Sequence, residues 1–520
     1  MPEQNAPLAV EVTSSTQVFP ESVQDSPTIT PLSMIDSTVS YFARCAAIWF
    51  YDPPVNSKAA LSASTLQASL SRTLDSYRPW CGRLSYAKPE ANRGHTKRYR
   101  RVQVTFNTST DLGVTFVTAT SFKNLPDLIP SISHRKTYLR SWDPSQIPSG
   151  DLLPKTRMAL SSGNPPADAP NLIVQFTTFA CGSTSIGIAI THGLSDAQAM
   201  CTFAKDWASV SRTLDPPSPP PAILPVFNPA LLDAAAAGDI DAETLDPLLI
   251  EEARNLPQHR FDWYKEVPGQ PWPVNIPADF DHSSVLSPSD PIPWEQWDTN
   301  APVAGRIFHF RAADIQHMHA EASRPSSSGT SKHDALLAHM WLRINAARQL
   351  APQSPAYLDL TMGLRSRLSL PQNFLGSPLM ITAIPWPLTT ATPSLLTLAT
   401  HIRRTLRKFT PAAIGASLHD AAFEVSPQRL WRACLGNRHI LETSWIQTGF
   451  QDVDFVGDGG LSLRYVQPEM GGDGLLLVME ALGEKRGHWS VNGVDVHLFL
   501  DKGAMERLIA DPKLWGEGLV

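Results

Sequence analysis

The stretch from Leu172 to Ala208 constrains this chain's fold more than any other. Leu172 to Cys181 is rich in β-branched and aromatic residues, and Gly182-Ser183 reads as a turn. Ser185 to Thr191 predicts a second strand, with Ile186, Ile188 and Ile190 on one face and the small residues Gly187 and Ala189 on the other. Two strands joined by so short a turn make a hairpin. Directly after it, Met200, Phe203, Ala204 and Trp207 recur at helical spacing, and Ser195 or Asp196 can cap that helix. A hairpin feeding straight into an amphipathic helix calls for a sheet with helices packed against it.

Proline then divides the chain. At about 150 residues per domain, 520 residues hold two or three domains. The run Pro216-Pro217-Ser218-Pro219-Pro220-Pro221 can be neither helix nor central strand. We therefore expect a flexible N-terminus over 1–28, a first domain over 29–214, a Pro-rich crossover over 215–300 that is helical near 229–255, and a second domain over 301–520. The second half reads as helix from His333 to Arg348, a loop at Ser326-Ser327-Ser328-Gly329, a strand from Val494 to Leu500 after an Asn492-Gly493 turn, and helix from Ala504 to Ile509. The fold class is α/β, with mixed sheets and helices in two halves.

Composition removes several classes of function. A net charge of −6 disfavours nucleic acid as a partner, since phosphate binding needs a basic surface. The five cysteines are scattered without a Cys-x-x-Cys pair, as in a cytoplasmic protein with reduced thiols. Met1 to Pro20 lacks the basic and apolar regions of a signal peptide, and no apolar run approaches the ~20 residues of a membrane span. His317-Met318-His319 has no third ligand nearby, so no metal is expected. Ser183 and Ser185 do not form Gly-x-Ser-x-Gly, and Gly457-x-Gly459 lacks the rest of a dinucleotide fingerprint.

The chemistry concentrates in Thr191-His192-Gly193-Leu194-Ser195-Asp196, where a strand ends and a helix begins. A histidine there can be held rigidly and still face a cleft. A neutral hydroxyl is a poor nucleophile, and imidazole, with an ordinary pKa of ~6.5, suits the removal of its proton. Alone, His-x-x-x-Asp also fits a structural histidine. The apolar strand before it, the Gly193 turn and the Trp207 helix after it favour the chemical reading.

Phe179 through Asp196 and on to Trp207-Ala208 resembles the signature region of the BAHD-type acyl-CoA acyltransferases. Thr30-Pro31-Leu32-Ser33-Met34-Ile35-Asp36 resembles that family's opening Leu-Ser-x-x-Asp segment. Leu74, Tyr77, Pro79, Gly82, Arg83 and Leu84 are similar to its next stretch in order and spacing. So are Asp334 to Trp341, Arg365-Ser366-Arg367-Leu368 and Asn373-Phe374-Leu375-Gly376. The resemblance spans about residues 29–515, and its Pro-rich insertions look more like fungal members than plant ones. Where the family has Asp-Phe-Gly-Trp-Gly, this chain has Asp454-Phe455-Val456-Gly457-Asp458, without the tryptophan.

The resemblance implies a two-domain, chloramphenicol-acetyltransferase-like fold with the active site at the domain interface. It implies acyl-CoA as co-substrate with no tightly bound cofactor and a small-molecule acceptor, and a monomer is the default expectation. His192 would be the general base, with no covalent intermediate, transferring an acyl group, acetyl by analogy, to a hydroxyl of a secondary metabolite. Asp196 would hold the loop, and Asp454 would pair with Arg365. Thr382 is an oxyanion donor or an ordinary strand residue, and Lys332 and Arg403 are cofactor-phosphate ligands or solvated surface. The alternatives are N-acylation, a stand-alone condensation-type domain, from which Thr191 and Ala197 depart, and a non-catalytic binding protein on the same scaffold.

Overall fold

The computed structural model describes residues 10–515 apart from 25, 40–43, 55–60, 156–157, 159–168, 215–216, 220, 275, 282, 284–288, 324–328, 352, 388–391, 458–461, 484 and 486. The expected serine-rich loop at 326–328 lies outside the described residues. Two mixed sheets dominate. The first has six strands in the order Val10–Val18, Val114–Ser121, Leu172–Phe179, Thr184–Thr191, Arg44–Tyr51 and Leu463–Pro468. The second has seven, in the order Leu379–Pro385, Tyr357–Gly363, His439–Ser444, Leu475–Glu480, Val494–Asp501, Val303–Phe310 and Ser141–Trp142.

Each sheet carries one strand from the other half of the chain. Leu463–Pro468 closes the first sheet against Arg44–Tyr51, and Ser141–Trp142 extends the second against Val303–Phe310. The helices Ala63–Leu74 and Ala197–Ser211 pack against each other, and Leu66, Leu70, Phe203 and Trp207 share a core with the first sheet. The second sheet is covered by Ala312–Ala322, Lys332–Arg348, Leu395–Leu406 and Lys502–Ile509, whose core includes Leu336, Met340, Leu398 and Met505.

The hairpin forms as its sequence predicts. Gly182 takes φ +82° at the turn, which only glycine adopts without strain, and its N–H donates to the Phe179 carbonyl at 2.9 Å. Strand Thr184–Thr191 is buried along its whole length. Ile186, Ile188 and Ile190 enter the core shared with the Ala197–Ser211 helix. The opposite face is crossed by residues 152–153, and a Cβ on Gly187 would meet the Leu152 carbonyl at 2.5 Å. That backbone explains the small residues on this face.

One expectation changes. Residues 10–18, assigned to a flexible N-terminus, form an edge strand in register with Val114–Ser121. Their side chains are almost all exposed, so no apolar alternation marks the strand. The crossover also pairs into a small sheet. Its helices Ala230–Asp233 and Pro247–Arg254 fall within the expected helical stretch, and Phe261–Asp262 pairs with both Asp290–Pro291 and Leu430–Trp431. Trp263, Trp272, Trp294 and Trp297 pack together there at ring separations of 5.4 to 6.0 Å.

Replacing Gly187 with valine should lower stability by about 1–3 kcal/mol through overpacking against the Leu152 carbonyl. The check is the urea midpoint, and an unchanged midpoint would mean that segment 152–153 yields freely.

Candidate active site

His192 begins a single 3-10 turn, His192–Leu194, at the end of the buried strand. Asp196 then caps the helix Ala197–Ser211, its Oδ1 accepting from the Ala199 N–H at 2.9 Å. Strand, turn and capped helix leave His192 little freedom of position.

The second half of the chain locks this turn from the other side. Asp196 donates its N–H to the Gly376 carbonyl at 2.9 Å, and Ser195 and Gly376 form an isolated parallel bridge. Arg365 grips the Asp196 carboxylate with two nitrogens, at 2.5 Å to Oδ2 and 2.9 Å to Oδ1, and also donates to the Phe374 carbonyl at 2.8 Å. Both side chains are buried. The expected Arg365–Asp454 pair is therefore not formed. Arg365 is already saturated by Asp196 and Phe374, and Asp454 Oδ1 turns onto its own backbone, accepting from Val456 and Gly457 at 3.1 and 2.9 Å. The Asp454 carbonyl accepts from Arg212, and Phe455 packs edge-on against Trp207 at 4.9 Å. The rest of that signature, from Asp458, lies outside the described residues.

Ser377, which sequence reasoning did not single out, completes the site. Its hydroxyl donates to the His192 carbonyl and lies 2.9 Å from His192 Nδ1. With its own proton so engaged, Ser377 Oγ can only accept from Nδ1–H. The proton sits on Nδ1, and Nε2 keeps its lone pair. Burial pushes the imidazole below its ordinary pKa, against the opposing pull of its own carbonyl and Asp196. The ring is thus neutral at neutral pH and can accept a proton through Nε2.

Behind Ser377 stands Asp36, in the short helix Met34–Val39. Its Oδ1 accepts the Ser377 N–H at 2.6 Å and its Oδ2 accepts the Ser33 hydroxyl at 2.6 Å. Gly376 holds φ +118°, and a Cβ there would come within 3.0 Å of the Asp36 carboxylate. Burial drives the Asp36 carboxyl up to about 7 despite these hydrogen bonds. The Leu-Ser-x-x-Asp spacing carried the signal for Ser33 and Asp36. Nothing local marked Ser377.

The remaining expected site residues lie elsewhere. Thr382 is fully buried in strand Leu379–Pro385, and its hydroxyl donates to the Pro257 carbonyl at 2.9 Å, so its proton is committed away from any oxyanion. Arg403 binds Asp334 at 2.7 Å and Ser331 at 2.9 Å, bracing the cap of helix Lys332–Arg348 in place of a phosphate. Lys332 is half-buried at the start of that helix, with Nζ 3.3 Å from Ser490 Oγ.

Replacing Arg365 with alanine should cost about 3–5 kcal/mol, because it strands a buried carboxylate, and thermal denaturation reads it. Asp36→Asn should act in two directions. A carboxyl raised to about 7 in the fold favours folding when protonated, so its contribution is present in acid and lost as pH rises through about 7. The variant lacks this loss and should gain stability relative to wild type at pH 8 compared with pH 4. Its turnover should fall about tenfold as Ser377 loosens, an order typical of lost positioning. Identical pH–stability curves for the two proteins would refute the Asp36 assignment.

A model of the Transferase family matches residues 8–514. Acyltransferase AFT15-1 of Alternaria alternata is 27% identical, over 98% of this chain and 97% of its own length. The hydroxycinnamoyl-CoA:5-hydroxyanthranilate N-hydroxycinnamoyltransferase HHT1 of Avena sativa is 27% identical over 60% of this chain and 66% of its own. Among solved structures, F. sporotrichioides TRI101 complexed with coenzyme A and T-2 superimposes with a TM-score of 0.63 at 17% identity, covering 94% of this chain and 98% of that one.

Proposed function

The chain belongs to the Transferase family, the BAHD-type acyl-CoA-dependent acyltransferases, with their two-domain coenzyme A-dependent fold, and on that premise we propose that it acylates a hydroxyl of a small secondary metabolite with His192 as general base. The observation that carries the reading is the 2.9 Å contact of Ser377 Oγ with His192 Nδ1, which leaves Nε2 as the ring nitrogen to take a proton.

In this reading His192 Nε2 takes the acceptor hydroxyl's proton as its oxygen attacks the thioester carbonyl. The tetrahedral oxyanion collapses, the carbon–sulfur bond breaks, and the coenzyme leaves as a thiol with the proton returned from His192. No bond to the protein forms. Asp196 and Arg365 hold the turn and take no proton. Acetyl is the donor group we assign first, with Lys332 as a ligand for a cofactor phosphate. No described helix is long and apolar enough to cross a membrane. A cytoplasmic monomer is part of the same proposal. N-acylation is the second reading, favoured by similarity to the oat enzyme, whose name specifies N-acyl transfer.

The test is thiol release from acetyl-, malonyl- and longer acyl-CoAs with a panel of hydroxylated and amine metabolites. Acceptor-dependent release is expected, falling at least ~1,000-fold in His192→Ala while the fold survives. In wild type the acid limb of kcat should lie below pH ~6.5, because burial depresses the His192 pKa. Full activity in the alanine variant would sink the proposal.

A further inference from the structure

Among the described residues, one cluster away from His192 brings three metal-ligating side chains together, from positions too far apart in sequence for spacing to reveal. His259 lies in the crossover, Asp359 at the middle of strand Tyr357–Gly363, and His439 at the start of the neighbouring parallel strand His439–Ser444. His259 Nε2 stands 3.1 Å from Asp359 Oδ1, and His439 Nδ1 stands 2.9 Å from Asp359 Oδ2. All the ligand atoms lie within 4.8 Å of one another.

Three features make this more than a chance meeting. First, two edges of the cluster, 3.1 and 2.9 Å, are near those of a coordination shell, and no edge exceeds 4.8 Å. Atoms each ~2.1 Å from one zinc ion stand on the order of 3.4 Å apart in a tetrahedron. Second, Asp359 is completely buried, yet among the described residues it has no arginine or lysine ion partner. A dication would place a full countercharge beside that carboxylate. Third, the ligands are held from outside. The Cys434 N–H donates to Asp359 Oδ2 at 3.2 Å, Tyr357 stacks on the His439 ring at 5.1 Å, and Phe261 stacks on His259 at 4.6 Å. Outer contacts of this kind fix ring orientation in metal sites. His259, at 13% side-chain exposure, leaves a path for an ion.

We propose that His259, Asp359 and His439 bind one divalent zinc ion, which clamps the crossover onto the second sheet. Two imidazoles and one carboxylate suit zinc better than calcium or magnesium, which prefer oxygen. His259 Nε2 and His439 Nδ1 would bind the ion through their lone pairs. In the bound state each ring carries its proton on the other nitrogen, Nδ1 of His259 and Nε2 of His439, and the two contacts to Asp359 give way to two metal–nitrogen bonds.

The whole chain, stripped with chelator, is titrated with zinc ions and its bound metal counted by mass spectrometry, with cobalt(II) as a visible-absorption probe. One tight equivalent is expected, together with a higher melting temperature that chelator reverses. His439→Ala should weaken this equivalent at least about tenfold. His259→Gln, at the more exposed ligand, should do the same and keeps the test valid if the first variant fails to fold. A wild type without a tight equivalent, or variants that bind it as well as wild type, overturns the proposal and leaves a His–Asp–His hydrogen-bonded clamp.

Discussion

The contact between Arg365 and Asp196 joins the two halves of the molecule at the point where chemistry is expected. Asp196 caps the helix that follows His192, accepts two guanidinium nitrogens from the second half, and gives its own N–H to Gly376. Burying two charges costs several kcal/mol in lost hydration, and only good geometry with further hydrogen bonds offsets it. Here both carboxylate oxygens are engaged, and Arg365 also reaches the Phe374 carbonyl. The return is orientation. The turn that carries His192 and the turn that carries Ser377 cannot move apart without exposing an unmatched buried charge.

A second layer depends on that alignment. Asp36 holds the Ser377 peptide, Gly376 has no side chain to keep the carboxylate at a distance, and the Ser377 hydroxyl sets the His192 tautomer. Three segments distant in sequence thus converge on one imidazole. The carboxylate of Asp36 is buried at a cost, with a raised proton affinity. Such local expense is common where a site is built for position more than for stability.

How much of this was legible depended on whether the cause was local. The hairpin, the His192 turn, the Asp196 cap and the helix from Lys332 to Arg348 follow from side-chain period, turn glycines and capping residues a few positions apart. The edge strand Val10–Val18 escaped because both its faces meet solvent, which removes the alternation that marks a half-buried strand. The partner of Arg365 was misread, because two acidic residues offered the same charge and only tertiary packing chose between them. Ser377 and the triad of His259, Asp359 and His439 carry no periodicity at all.

The exchange of strands between the halves bears on how the molecule comes into being. The first sheet is completed by Leu463–Pro468, so its Arg44–Tyr51 strand keeps an unpaired edge until more than 400 further residues have been synthesised. Trp49 and Tyr51 likewise wait for the Phe450 and Val453 carbonyls to satisfy their buried donors. The first half therefore completes its sheet and satisfies these donors only with residues of the second. Synthesis cannot bank a finished first sheet before starting the second, and until residues 463–468 emerge the nascent chain is exposed to edge-to-edge association.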